Sequence, residues 1–178
     1  MIVTLLANGF EEIEALTPID VLRRAGVEVV SCGLSGVEIR GSHGITVHAD
    51  ALPIDIDLSK VDMVILPGGM PGATNIDAHP FTSEIIKATL ERGGRLAAIC
   101  AAPLVLGRRG LLEGKRATCY PGFEDELRGA TVTGDGVVTD GNITTAKGMG
   151  VALEFAKELV RLTVSEEMAE QISAAIME

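Results

Sequence analysis

Short apolar runs alternate with segments of helical period along the chain. Ile2 to Ala7 is apolar almost throughout and predicts a strand buried on both faces. Residues 11–25 follow as a helix stopped by Gly26, and Val27 to Cys32 as a second strand. Segments 37–41 and 45–49, broken by Gly36, Gly41 and Gly44, predict a small antiparallel excursion. Val61 to Leu66 is again a buried strand, ended by Pro67-Gly68-Gly69. Helix 80–92 carries its stripe at Phe81, Ile85, Ile86 and Leu90 and stops at Gly93-Gly94; strand Arg95 to Ile99 then runs directly into Cys100. Beyond it the pattern predicts a helical segment to about Gly107 and short strands near 116–119, 130–133, 136–139 and 142–145. A helix follows over 148–162, with Met149, Ala152, Leu153, Ala156, Leu159 and Val160 on one face. An acidic amphipathic segment, 165–177, is expected to cap the sheet. Alternation of this kind predicts an α/β protein with a mostly parallel sheet. No repeat or linker interrupts it, so residues 1–178 read as one domain, a length that buries roughly two thirds of the unfolded chain's surface.

Composition narrows the function classes. Twenty-five acidic against 15 basic residues give a net charge of -10, and no Lys/Arg block offsets it. Nucleic acid and anionic membranes are therefore poor partners, and one Tyr, four Phe and no Trp leave little for base stacking. No run approaches the roughly 20 apolar residues of a membrane span, and Met1 leads into a strand without a basic segment. Three cysteines, Cys32, Cys100 and Cys119, show no metal-ligand spacing. The expectation is a cytoplasmic protein with free thiols, no metal and no cofactor.

Three features carry candidate chemistry. Cys100 ends an apolar strand and precedes Ala101-Ala102-Pro103, residues suited to a first helical turn. A thiol there sits at the carboxyl end of a parallel sheet, where open α/β folds place ligands. The following helix N-terminus is expected to favour thiolate; a small buried core cysteine is the competing reading. Glu14, wound at 100° per residue, has Pro18, Val21 and Ala25 as angular neighbours, so its carboxyl lies on an apolar stripe and its pKa should rise. Glu11 and Glu12 read as solvated first-turn acids, and Pro18 predicts a kink or a restart of the helix at Thr17. Gly68-Gly69 closes a strand at the same sheet edge, where backbone N–H groups can face a substrate oxygen. No GxGxxG or GxxxxGK[ST] occurs, which removes support for dinucleotide and NTP binding. His43, His48 and His79 fall in polar, loop-like contexts.

Together, Gly9-Phe10-Glu11-Glu12-Ile13-Glu14, Leu66-Pro67-Gly68-Gly69 and Ala98-Ile99-Cys100-Ala101 resemble the ThiJ/PfpI family, closest to the branch of the parkinsonism-associated deglycase and its bacterial relatives. Asp20 to Gly26 and Cys119-Tyr120-Pro121-Gly122 extend the likeness over nearly the whole chain. The resemblance implies a flavodoxin-like three-layer sandwich, class I glutamine amidotransferase-like, that forms homodimers. It maps the reactive cysteine to Cys100, its protonated acid to Glu14, and oxyanion donors to Gly69 and Ala101, with Gly68 beside them. It also implies ready oxidation of Cys100 to a sulfinate held by the acid. Two departures stand out. Ala101 occupies the position of the histidine that follows the cysteine in the protease-like branch, which weakens a peptidase reading. Tyr120 stands where the animal deglycase has a histidine; a phenol can donate a hydrogen bond but cannot serve as a base near neutral pH. His43 maps to an expected dimer interface, from which it could approach the site across subunits.

The expected function is conversion of small reactive dicarbonyls, such as methylglyoxal to lactate, or removal of early glycation adducts, by Cys100 and Glu14 alone. The rivals are a redox-sensing or chaperone-like role worked through Cys100 oxidation and a peptidase.

Overall fold

The computed structural model describes residues 1–177. Six strands form the central sheet: β1 (Ile2–Leu6), β2 (Val29–Gly33), β5 (Met63–Leu66), β6 (Arg95–Ile99), β9 (Val137–Asp140) and β10 (Ile143–Ala146). Their order is β2-β1-β5-β6-β10-β9, parallel throughout except for β9, which pairs antiparallel with β10. The first five strands follow the flavodoxin order, and the order reverses between β1 and β5.

Side chains alternate across this sheet because successive residues of a strand point to opposite faces. Val3, Leu5, Val64, Leu66, Leu96 and Ala98 pack towards α2 (Gly72–Ala78), α3 (Pro80–Glu91) and α4 (Pro103–Arg108). Ile2, Met63, Ile65, Ala97 and Ile99 pack towards α1 (Glu12–Arg24) and α5 (Ala152–Thr163). Both faces are covered, which is why the strands are apolar runs rather than alternating ones. The result is the mostly parallel α/β sandwich that the pattern predicts. The antiparallel excursion is present as β3 (Glu38–Arg40) and β4 (Thr46–His48), and a parallel pair, β7 (Arg116–Ala117) with β8 (Thr131–Val132), forms a separate ladder beside β9 and β10.

Several expectations are corrected. α1 runs unbroken through Pro18. It ends as the sequence suggests: Gly26, at φ +76°, donates to the Arg23 carbonyl and Val27 to that of Leu22, so Val27 belongs to the helix stop and β2 begins two residues later. α2 has no counterpart in the sequence reading; seven residues are too few to display a helical period. Met149 lies in a 3₁₀ turn, Met149–Val151, and is half exposed rather than on the buried face of α5. The last helix, α6 (Glu166–Ala175), packs on α5 rather than capping the sheet. The segment after β4 runs beside β2, with Ala51 donating to the Ser31 carbonyl at 3.1 Å and accepting from Gly33 at 2.9 Å. None of the described helices is long and apolar enough to cross a membrane.

Candidate active site

Three loops converge at the carboxyl ends of β1, β5 and β6, beside the point where strand order reverses. They are tied by backbone bonds: Glu11 donates to the Gly68 carbonyl at 2.9 Å and Gly72 to that of Gly9 at 3.1 Å. The approach is close enough to require glycine. A Cβ at Gly69, which sits at φ +83°, would stand 2.3 Å from the Glu11 nitrogen. A Cβ at Gly68 would stand 2.4 Å from Glu14 Oε2 and 2.6 Å from Cys100 Cβ, so acid and thiol share the space that this residue leaves open.

Cys100 occupies the turn between β6 and α4 at φ +65°, in the left-handed region where side chains other than glycine are uncommon. Its N–H is held by the Ala146 carbonyl at 2.8 Å, and its own carbonyl accepts the Tyr120 N–H at 2.9 Å. The partly buried thiol contacts the Glu14 carboxyl and receives the backbone N–H groups of Gly69 and Ala101. The expected acidification of this thiol is not found. Burial, then the charge and hydrogen bond of Glu14, push it up to about 12 against the pull of the two amides. The helix contributes little because α4 has six residues and begins only at Pro103.

Glu14 is 1% exposed. Burial raises its carboxyl to about 7, assisted by the charge of Glu11 and opposed by hydrogen bonds from Cys100, Gly68 and Met149. The Gly68 N–H reaches Oε2 at 3.1 Å. Gly68 therefore holds the acid instead of offering an oxyanion donor, which corrects its expected part; Gly69 and Ala101 remain aimed at the sulfur. Acid and thiol form one coupled system, because a protonated Glu14 loses its charge and becomes a donor to sulfur.

Tyr120 is brought to the site within the chain; His43, expected to approach from a second subunit, sits on the β3–β4 hairpin against Glu11 and Glu12. A Cβ at Gly148 would lie 3.4 Å from Tyr120 Cδ2 and 3.9 Å from Glu14 Oε1, so the ring borders the acid. His43 Nδ1 lies 3.1 Å from Glu12 Oε2 and 3.3 Å from Glu11 Oε2, with its ring largely in solvent. Glu12, expected to be solvated, is 3% exposed. Burial works to raise its pKa, but hydrogen bonds from backbone N–H groups and from His43 outweigh it and hold the carboxyl below the usual range. The β3–β4 hairpin supplies His43 and Ile45, a long-range partner that helical periodicity does not reveal. Glu11, Glu12 and His43 converge within 4.8 Å, close enough to share a cation, although backbone N–H groups already engage Glu12. Met149, whose backbone reaches Glu14, was signalled by no motif. Cys32 and Cys119 are buried, pushed up to about 12 and about 11 chiefly by that burial.

The sequence model of the DJ-1/PfpI family matches residues 1–162. The chain is 39% identical over 97% of its length to protein DJ-1 homolog B of Arabidopsis thaliana, of which it spans 40%. It is 34% identical to the glutathione-independent glyoxalase DJR-1.2 of Caenorhabditis elegans, over 84% of this chain and 81% of that protein. A deglycase of Pyrococcus abyssi is 31% identical, over 90% of this chain and 98% of its own. The fold superposes on oxidized DJ-1 of Toxoplasma gondii with a TM-score of 0.94 at 35% identity, covering 99% and 97% of the two chains. A strand-to-turn cysteine, a buried acid against it, and a family match over nine tenths of the length lead to one assignment: the chain belongs to the DJ-1/PfpI family.

Proposed function

We propose that the chain is a cofactor-free enzyme that converts small α-oxoaldehydes to hydroxy acids, methylglyoxal to lactate being the simplest case. The observation that carries the reading is the Glu14 carboxyl set against the Cys100 thiol beneath the Gly69 and Ala101 amides. Relatives named as a glyoxalase and a deglycase support chemistry of this class.

Glu14 takes the thiol proton as sulfur adds to the aldehyde carbon, giving a hemithioacetal. The thiol is the much weaker acid, so proton transfer accompanies S–C bond formation rather than preceding it. The Gly69 and Ala101 N–H groups face the charge that develops at the reacting centre. Glu14 hands that proton to the hemithioacetal oxygen, and the carboxylate so regained removes the proton from the former aldehyde carbon to give an enediolate. The hydroxyl proton shifts to the neighbouring oxygen, and Glu14 returns its proton to the neighbouring carbon. The resulting thioester is hydrolysed by water, releasing the hydroxy acid and the free thiol. One group must donate and accept in turn, and a carboxyl near 7 suits both tasks at neutral pH.

Redox sensing requires a thiolate at rest. Burial and a charged Glu14 oppose thiolate, while a protonated Glu14 donates to sulfur and favours it, so turnover rather than protonation separates the two roles. A peptidase reading has no imidazole following the nucleophile, since Ala101 stands there. A homodimer is part of the proposal: Ile13 and Leu16 on α1 and Ile45 beside the hairpin are exposed large apolar side chains that a second copy would cover. His43, in the same hairpin, would then stand near the partner's site. The test is lactate formation from methylglyoxal without glutathione. Wild-type protein no faster than Cys100→Ala or Glu14→Gln would overturn the proposal.

A further inference from the structure

A pocket of about 400 Å³ opens beside the thiol–acid pair. Tyr120, Pro121, Met149 and Val151 line it, Gly148 lies between the ring and the acid, and Lys147 adds a charged group. Its lining does not include Cys100 or Glu14, but three contacts place it next to them. The Tyr120 N–H bonds the Cys100 carbonyl at 2.9 Å, the Met149 backbone bonds Glu14, and the Gly148 Cβ position is 3.9 Å from Glu14 Oε1.

The size of the pocket does not match a three-carbon substrate. The pocket is an open, mainly apolar depression with room for more than the single methyl that methylglyoxal offers beyond its two carbonyls. Tyr120 and Met149 are each 51% exposed, so two large apolar side chains remain uncovered next to a buried carboxyl. Covering them is favourable at roughly 25 cal/mol per Å².

We infer that this pocket is the subsite for the group attached to the reacting dicarbonyl, and that this group is an uncharged ring or branched alkyl rather than hydrogen or methyl. The inference rests on the proposed dicarbonyl chemistry and specifies its substrate class: aryl or bulky alkyl glyoxals. Tyr120 supplies a ring face and Met149 a flexible thioether that adapts to ring edges. Their exposure then has a use, because the substrate supplies the missing contact.

The test compares turnover of phenylglyoxal and methylglyoxal by the wild-type protein, Tyr120→Ala and Met149→Ala. The readout is the ratio of the two kcat/KM values, which cancels any shared loss of chemistry. The expected wild-type preference for phenylglyoxal is about tenfold or more, falling at least about threefold in each variant. A ratio that neither variant moves overturns the subsite. A second measurement does not depend on turnover: benzoylformate and pyruvate, which lack the aldehyde, are compared as protectors of Cys100 against iodoacetamide, read by peptide mass. Stronger protection by benzoylformate that Met149→Ala abolishes retains the subsite even if neither aldehyde is converted, an outcome that removes only the proposed reaction. Equal protection with no turnover overturns both.

Discussion

Glu12 and Glu14 stand two residues apart on α1, 3% and 1% exposed, and their carboxyls behave in opposite ways. Burial is the leading influence on each and acts upward in both. Around Glu12 the hairpin supplies the His43 N–H at 2.9 Å, the Ile45 N–H at 3.3 Å and the His43 ring at 3.1 Å, and the carboxylate wins. Around Glu14 the partners are two backbone amides and a thiol, with the Glu11 charge opposing them, and the balance settles near 7. Surface accessibility alone does not decide protonation here. Glu12 lies just beneath a surface hairpin and Glu14 deeper among the converging loops, so weaker desolvation and a fuller set of donors together keep Glu12 ionised. One acid fastens a loop, and the other is left poised to exchange a proton.

The largest effect that would test this contrast is on turnover. Glu14→Gln is expected to lower kcat/KM for methylglyoxal by about a thousandfold, and Glu12→Gln by less than about tenfold. Equal losses in a steady-state assay would erase the distinction. Gly68→Ala drives a methyl into the space between Glu14 Oε2 and Cys100 Cβ, and a loss of about a hundredfold is expected in the same assay.

Stability against pH sharpens the comparison further. Glu14 has a folded-state pKa above its unfolded value, so the folded protein holds a proton that the unfolded chain has released. Stability should therefore fall as pH rises from about 4.5 to about 7, by about 3 kcal/mol from this group. Urea titrations across that window should show the slope flattened in Glu14→Gln. Glu12, with its pKa lowered, contributes stability above its unfolded value that is lost as pH falls. Glu12→Ala strands the His43 and Ile45 N–H groups, and a loss of about 2 kcal/mol in urea unfolding is expected. The smallest effect belongs to Glu11→Gln: removing a nearby charge should lower the midpoint of the Glu14-dependent pH–rate limb by less than about one unit.

Much of this site was legible because its signals are local. Apolar runs located the strands, the strand end located Cys100, and angular position on α1 placed Glu14 among apolar neighbours. The burial of Glu12 was not legible, since its partners lie 31 and 33 residues away on a hairpin that no helical period describes. The part played by Gly68 was likewise hidden. A glycine pair announces a tight turn, but which amide meets the acid and which the sulfur depends on how loops from two strands interlock. The thiol misled for a related reason: the helix following it was visible in the sequence, whereas the burial and the facing carboxylate that outweigh it were not. Pro18 shows that tertiary packing overrides a local rule, because α1 continues through it with the ring buried.

The strand of chain passing beside β2 has a consequence for the molecule in a crowded solution. An outermost strand with free N–H and C=O groups is a template on which another polypeptide can build. Here Ala51 takes up both the Gly33 N–H and the Ser31 carbonyl, and Asp50 accepts the Ser31 N–H at 2.8 Å. A foreign strand seeking that margin finds those bonds already made by the protein itself. Sheet-to-sheet aggregation through β2 would first have to peel this segment away.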